Sequence, residues 1–175
     1  MLNYLCWNGI DEAQQLLQRF AADFTAQTEG FEDNIPLRRK SMEELLALTA
    51  YVAHQSRGMP VAVTADAANR PQLERGREIY YRRQGQMNLA CTHCHEQNAG
   101  RRLLAETISE GHGNAYPVYR LEWQSAGSLH RRLRACYYGV RAVMPTFGSD
   151  ELLDLELYLA RRATGLTVET PGVRR

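Results

Sequence analysis

Apolar side chains recur every three to four residues in five stretches of the chain, the spacing of one face of an α-helix. Helices are therefore predicted for residues 11–24, 41–55, 72–83, 128–141 and 149–165. Ser41 opens an S-x-x-E capping box, and Ser149 precedes two acidic residues, so both mark helix starts. Residues 96–117 are predicted as loop with at most a short helix near Leu103, and the tail 166–175 as extended. The predicted fold class is all-α.

A second signal lies between the third and fourth predicted helices, in the sequence Cys91-Thr92-His93-Cys94-His95. C-x-x-C-H is the attachment signature of a c-type haem. The two thiols form thioethers with the haem vinyl groups, which requires them about one helical turn apart. The adjoining histidine then reaches the iron from the same side. The motif predicts one covalently bound haem c and a fold of cytochrome c type, with His95 as the proximal ligand.

Two other interpretations of these cysteines have less support. A zinc site could combine Cys91, Cys94 and His95 with His112 or Cys136. A structural zinc site usually brings its second ligand pair at close spacing, and the sequence contains no such pair. A thioredoxin-like dithiol would require a βαβ setting, and no strand pattern flanks the motif.

Composition argues against several other classes of protein. The length of 175 residues suffices for one good core or for two small cores that lean on each other. Lys+Arg 21 against Asp+Glu 20 leaves a net charge of +1, which gives no support to a nucleic-acid partner. No apolar run approaches the roughly 18 residues that a membrane-spanning helix needs.

The start of the chain conflicts with the haem motif. Residues 1–9 lack the basic and apolar regions of a signal peptide. Covalent haem c is attached on the non-cytoplasmic side of the bacterial membrane. We therefore expect a periplasmic protein whose sequence here begins inside a longer precursor.

Two of the predicted helices resemble each other, which indicates an internal repeat. Residues 41–58 can be laid on 149–165, and this alignment pairs Leu45 with Leu152, Leu48 with Leu155, Tyr51 with Tyr158 and Gly58 with Gly165. Two generic amphipathic helices can look equally alike, so that alternative stays open. If the repeat is real, one complete haem domain follows a truncated, degenerate cytochrome-c-like half. The predicted boundaries are 1–60 for the truncated half, 61–70 for a linker and 71–175 for the C-terminal haem c domain.

The ligand on the other side of the iron decides whether the haem carries electrons or takes part in catalysis. Met144 is one candidate, because a Met-Pro turn before the closing helix is where small cytochromes c place their methionine. Cys136 is another, because it lies on the inward face of its helix with Leu133 and Val140. It could equally be a buried, inert thiol. Spacing alone leaves methionine, cysteine, histidine and an open position as alternatives.

Positive charge surrounds Cys136. Arg132 lies four residues before it on the same helical face, and Arg131, Arg134 and Arg141 are close in sequence. Such charge favours the thiolate, which is the nucleophile and the better iron ligand. It would also attract a small anion. Arg131 and Arg134 can alternatively belong to a solvated basic face.

The residues around Cys136 resemble a known family. RRLRACYYGVRA (131–142), LELYLARRATG (155–165) and ETPGVRR (169–175) are similar to SoxA, the catalytic subunit of the thiosulfate-oxidising SoxAX cytochromes. Residues 45–63 resemble the end of that family's N-terminal cytochrome domain. The likeness covers nearly the whole chain. Its specific part is the R-x-x-x-C element with C-x-x-C-H upstream.

That resemblance implies an L-cysteine S-thiosulfotransferase. In the family, thiosulfate is joined oxidatively to a cysteine of the carrier SoxY(Z), and two electrons leave through haem. The second electron suggests the separate cytochrome subunit SoxX as a partner. By resemblance, Cys91 and Cys94 hold the haem and His95 ligates it. Cys136 is then the distal ligand and the catalytic sulfur, modified to a persulfide, and Arg132 binds the substrate.

The chain also departs from the family. Many relatives carry a second haem motif in the N-terminal half, and this sequence has none. Cys6 lacks the upstream cysteine with which the family forms a disulfide there. Met144 opens a Met-Pro-Thr-Phe turn that is more typical of ordinary cytochromes. The competing functions are a monohaem electron-transfer cytochrome with His95 and Met144 as ligands, and a binding subunit with an inert haem.

Overall fold

A computed structural model describes residues 42–174 of the protein. The helix predicted over 11–24, the Ser41 cap and Cys6 lie outside the described residues. The described helices are α1 (Met42–His54), α2 (Arg70–Tyr81), α3 (Cys91–His95), α4 (Leu129–Gly139) and α5 (Asp150–Arg162). The other four predicted helices are thus confirmed, with boundaries that shift by a turn or less. The haem motif forms the short additional helix α3.

The prediction of an all-α chain is only partly correct, because the described residues include short strands. A hairpin of β1 (Arg102–Leu103) and β2 (Glu106–Thr107) stands where loop or a short helix was expected. A three-stranded sheet has the order β4 (Ser125–Gly127), β3 (Val118–Arg120), β5 (Gly172–Arg174). Strands β4 and β5 run antiparallel and parallel to β3, respectively. Strands of two or three residues are too short for alternating polarity to reveal them in the sequence. The extended tail is confirmed as β5.

Helices α2 and α5 cross closely at Gly76. A Cβ atom on Gly76 would lie 2.1 Å from the backbone oxygen of Asp154 and 2.8 Å from the Cβ of Tyr158. Beside the crossing, Arg75 Nε donates to the Asp154 carboxylate at 2.6 Å. This pair compensates the charge of an Asp154 side chain that is almost fully buried.

Two apolar clusters form the core of the described residues. The larger joins α2, α4 and α5 and contains Ile79, Tyr80, Leu129, Leu133, Tyr137, Leu152, Leu155 and Leu159. Cys91 and Tyr116 pack against it, which brings the haem motif to the edge of the main core. The second cluster contains Val61 and Val63 together with residues of α2 and α5. Part of the predicted linker therefore belongs to the core.

The segment after α1 pairs with the segment after α5. The backbone N–H of Gly58 donates to Val168 O at 2.9 Å, and the N–H of Gly165 donates to Val61 O at 2.8 Å. Pro60 and Thr167 form an antiparallel bridge between these bonds. Within residues 42–174, no helix is both long enough and apolar enough to cross a membrane.

Candidate functional site

Helix α3 consists entirely of the C-x-x-C-H motif and is a single turn long. It is preceded by Ala90 in extended conformation, whose N–H donates to Nδ1 of His93 at 3.0 Å. The Asn98 amide donates to the backbone oxygen of His93 at 2.6 Å. These bonds hold Cys91 and Cys94 one helical turn apart on one side of the helix. That is the spacing that two thioether bonds to one porphyrin require.

His95, directly after this turn, has a defined tautomer. Its Nδ1 lies 2.8 Å from the backbone oxygen of Ser109. A carbonyl oxygen only accepts, so Nδ1 carries the proton and the lone pair of Nε2 is available to a metal. Burial lowers the pKa of His95, and the hydrogen bond to Ser109 opposes that shift. The neutral ring is the form that can ligate iron.

Gly111 packs against the same side of the imidazole, at Cγ and Nδ1. It adopts a φ of +76°, and a Cβ atom there would lie 2.8 Å from Cγ and 3.0 Å from Nδ1 of His95. Only glycine fits both the backbone conformation and the close approach. Residues 109–111 therefore form a cradle for the ring. The sequence pattern predicted a loop here and did not single out Ser109 or Gly111. The glycines within that loop were a signal that could have indicated a close backbone contact.

Arg162, near the end of α5, links the two segments that flank His95. Its Nη1 donates to the backbone oxygen of Glu110 at 3.1 Å, and its Nη2 lies 3.5 Å from the carboxylate of Glu96. The guanidinium carbon also lies 4.5 Å from the ring centroid of Tyr80, a cation–π contact. The closing helix thus fixes the cradle from outside.

Cys136 lies on α4, at the edge of the face that Leu133 and Tyr137 bury in the core. It is partly buried. It is close enough to the motif for electrostatic interactions that raise the pKa of Cys91, and its own pKa is raised by Cys94. The fold therefore brings the third thiol to the haem motif. Burial, together with Cys136 and Cys94, raises the pKa of Cys91 to about 11.

The expectation that Cys136 is a thiolate is wrong, because its pKa is raised and the thiol form is favoured. Burial raises the pKa of the Cys136 thiol, and this effect is larger than the opposing effects of Arg132 and Arg120. The positive charge acts in the predicted direction but does not outweigh desolvation. The charge that matters most is that of Arg132, whose side chain is 34% exposed and also acts on His95.

The other arginines of α4 have structural partners. The guanidinium carbon of Arg131 lies 4.2 Å from the ring centroid of Trp123, and its Nη1 donates to Ser125 Oγ at 3.1 Å. Arg134 stacks on Phe147 at 4.3 Å and donates to the backbone oxygen of Pro145. Both arginines therefore have partners within the fold, although Arg131 remains exposed.

Met144 lies on the loop between α4 and α5 with 45% of its surface exposed. Among the histidines, His130 lies 2.9 Å from the carboxylate of Glu156, and Nε2 of His112 lies 3.2 Å from that of Glu110. Across residues 42–174, no three His, Cys, Asp or Glu side chains converge as a metal-ion site.

Arg120 is a site residue that the sequence pattern did not single out. It lies on β3 with only 6% of its side chain exposed. Its Nε donates to Glu122 at 2.9 Å, and its Nη2 lies 3.3 Å from both carboxylate oxygens of Glu106. Arg120 and Cys136 are close enough to interact electrostatically. A lone arginine in a three-residue strand gives no pattern by which it could be recognised.

The donor set fits a haem c. Covalent attachment is served by two thiols one turn apart. Proximal ligation is served by an imidazole whose Nε2 is available and whose orientation is fixed by Ser109 and Gly111. Cys136 supplies a soft sulfur donor near the same helix.

Over about three quarters of its length, the chain is similar to known proteins. The chain is 46% identical over 134 residues to the L-cysteine S-thiosulfotransferase subunit SoxA of Pseudaminobacter salicylatoxidans, covering 76% of this chain and 47% of that protein. It is 44% identical over 131 residues to the SoxA of Rhodovulum sulfidophilum, covering 75% of this chain and 46% of that protein. No family model matches the chain.

The fold is similar to that of a solved structure. The crystal structure of SoxXA from P. pantotrophus matches with a TM-score of 0.73 at 35% sequence identity, over 87% of this chain and 58% of that chain. The chain spans about half the length of the curated relatives it matches. By sequence and by its cytochrome-c-like fold, the chain belongs to the SoxA family.

Proposed function

We propose that the chain carries one haem c on Cys91 and Cys94, with His95 as the proximal ligand, and that it couples thiosulfate to a cysteine of a SoxY(Z) carrier. The observation that carries this proposal is the approach of Cys136 and Arg132 to the C-x-x-C-H helix. The relatives are named L-cysteine S-thiosulfotransferase subunits, which is the activity proposed here.

The reaction is an oxidation. The S–H bond of the carrier cysteine breaks, and a sulfur–sulfur bond forms to the terminal sulfur of thiosulfate. One proton and two electrons are released, so a thiol and a dianion become a monoanionic S-thiosulfonate. The haem, when bound, supplies an acceptor for one electron, and a partner cytochrome accepts the second electron.

Arg132 is proposed to bind the thiosulfate dianion. Guanidinium groups bind oxyanions through paired N–H donors, and Arg132 is partly exposed beside the thiol. Cys136, carried as a persulfide, is proposed to take part in the oxidative step: its outer sulfur forms a bond to the terminal sulfur of thiosulfate as two electrons leave. The carrier thiolate then attacks the thiosulfate-derived sulfur, so the S-thiosulfonate passes to the carrier and the Cys136 persulfide is released as the leaving group. Burial of Cys136 limits access of water and other thiols to this sulfur.

Cys136 is also the proposed distal ligand of the iron. It interacts with both cysteines of the motif, whereas Met144 is 45% exposed on the following loop. Ligation by Met144 would instead make the protein a monohaem electron carrier. The positions of the two sulfurs favour the enzyme.

We further propose that residues 1–60 are the end of a degenerate cytochrome-c-like half, joined by 61–70 to the haem domain of 71–175. Helices α1 and α5 are each 13 residues long, and each is followed by a glycine with a φ near +90°, Gly58 and Gly165. The bridge between Pro60 and Thr167 joins positions that the repeat alignment makes equivalent. A pseudo-twofold relation between two halves accounts for this pairing.

The proposed setting is the bacterial periplasm, in complex with a SoxX cytochrome. The matching crystal structure is of a SoxXA complex, which supports a cytochrome partner for this chain. Thiosulfate and the SoxY(Z) carrier are the proposed substrates.

A pair of sulfur variants tests the proposal. In the haem-loaded protein with its partner cytochrome, Cys136→Ala should abolish thiosulfate-dependent turnover while the haem mass and the Soret band are retained. Met144→Leu, the matched control, should keep its turnover. The mass of the proteolytic peptide that contains Cys136 should exceed its sequence mass by one sulfur atom. Full turnover by Cys136→Ala, or a near-infrared methionine band that Met144→Leu removes, would establish the electron carrier instead.

A further inference from the structure

The turn between β3 and β4 lies against the first turn of α4, and its side chains meet the arginines of that helix. Glu122 Oε1 accepts a hydrogen bond from Arg120 Nε at 2.9 Å and lies 3.9 Å from Arg132 Nη1. The next residue, Trp123, lies between the guanidinium groups of Arg120 and Arg131, at 5.2 and 4.2 Å from its ring centroid. The hairpin therefore contacts the helix through acidic and aromatic side chains that lie next to basic ones.

Arg120 is fixed and its charge is compensated. It is almost fully buried, and the carboxylates of Glu122 and Glu106 both contact its guanidinium. A buried guanidinium with two carboxylate partners has little freedom to turn towards a ligand, because leaving them would uncover buried charge. Arg120 therefore holds Glu122 in place and is not itself the group that receives an anion.

Arg132 differs from Arg120 in both respects. Its side chain is 34% exposed, and its 3.9 Å contact with Glu122 is too long for a hydrogen bond. Such a contact limits the positions that the guanidinium can take and leaves its N–H donors to a ligand. An arginine that is restrained before binding loses less side-chain freedom when the anion arrives.

We propose that Glu122 and Arg120 are positioning residues of the anion site, in which Glu122 restrains the Arg132 guanidinium beside Cys136 and Arg120, anchored on Glu106, holds Glu122. This inference rests on the proposed function, because thiosulfate is the anion that Arg132 would orient. It assigns to the small sheet a role that the helices alone do not provide.

The kinetic test uses Glu122→Gln in the haem-loaded complex with thiosulfate and the carrier protein. The KM for thiosulfate should rise about tenfold with kcat changed less than about twofold, because the substitution loosens a binding group. Glu169→Gln is the matched control, since Glu169 is a 46% exposed carboxylate paired with Arg174, and Glu122 is 43% exposed. The control should leave both constants unchanged.

A double-mutant cycle shows whether Glu122 acts through Arg132. In an Arg132→Ala background, adding Glu122→Gln should leave kcat/KM unchanged, since the group it restrains is already absent. An equal fold-change in both backgrounds, or an unchanged KM in the single variant, would overturn the proposal.

A second readout does not depend on turnover. In the ferrous, diamagnetic protein, ¹⁵N relaxation of the Arg132 Nε–H group should show a restrained side chain, and Glu122→Gln should make it mobile. Unchanged mobility would overturn the positioning role. If the wild-type complex does not consume thiosulfate, the proposed function fails, and this relaxation measurement still decides the role of Glu122.

Discussion

The imidazole of His95 donates its Nδ1 proton to the backbone oxygen of Ser109 over 2.8 Å. This bond orients the ring and selects the tautomer that presents Nε2 to a metal. Gly111 closes the same loop against the ring, at a distance that excludes a Cβ atom. The proximal side of the site therefore depends on a loop that follows the motif by more than a dozen residues.

Gly111→Ala should disturb this orientation. The new Cβ would lie 2.8 Å from Cγ of His95 at a φ of +76°, so both the ring and the backbone must shift. We expect a loss of about 1–3 kcal/mol in the free energy of unfolding, as for other overpacked sites, together with a changed haem absorption spectrum. Thermal unfolding and the Soret band measure the two effects.

Gly100→Ala is the control for the backbone contribution. Gly100 has a φ of +80° and no atom within 4 Å of the added Cβ, so only backbone strain is introduced. An equal spectral change in Gly100→Ala would show that the contact with His95 is not the cause.

Gly76→Ala should separate α2 from α5. The added Cβ would lie 2.1 Å from a backbone oxygen of Asp154, which cannot rotate away. We expect destabilisation of about 3 kcal/mol or more, measured by urea unfolding. Gly139→Ala in α4 has no atom within 4 Å of the new Cβ and should be neutral or stabilising. Equal losses in the two variants would contradict the close crossing.

Arg132→Ala should weaken the interaction with thiosulfate far more than Arg131→Ala. Hydrogen bonds to charged groups contribute about 1.5–3 kcal/mol, so kcat/KM should fall roughly 10- to 100-fold for Arg132→Ala. Arg131 lies next to it in sequence but is committed to Trp123 and Ser125. Steady-state kinetics with varied thiosulfate compare the two. A similar loss in both variants would mean that general positive charge attracts the anion.

The stability of the protein should fall at alkaline pH partly because of Tyr158. Burial, with a hydrogen bond to Tyr81, raises the pKa of Tyr158 from 10.0 to about 12. The unfolded state loses its proton first, so this contribution to stability is present below about pH 10 and is lost as the pH rises towards 12. Tyr158→Phe should reduce the decline of the urea midpoint between these values. Tyr138→Phe, at a 74% exposed position, should leave the decline unchanged.

The amino-acid sequence by itself determined the helices and the haem motif. Each of these depends on residues near one another in the chain: the 3.6-residue apolar period and the fixed C-x-x-C-H spacing. Cys136 and Arg132 were also recognisable, because they share one face of α4 and match a family pattern.

Only the tertiary structure decided what surrounds these groups. Four residues contact others that lie ten or more positions away in the sequence: Arg120 contacts Glu106, Glu122 contacts Arg132, and Ser109 and Gly111 contact His95. Their strands and loops are too short to leave a periodic signal. The upward shift of the Cys136 pKa was likewise decided by packing. Arg132 is its neighbour on the helix, but the desolvation that outweighs that charge arises from the folded core around it.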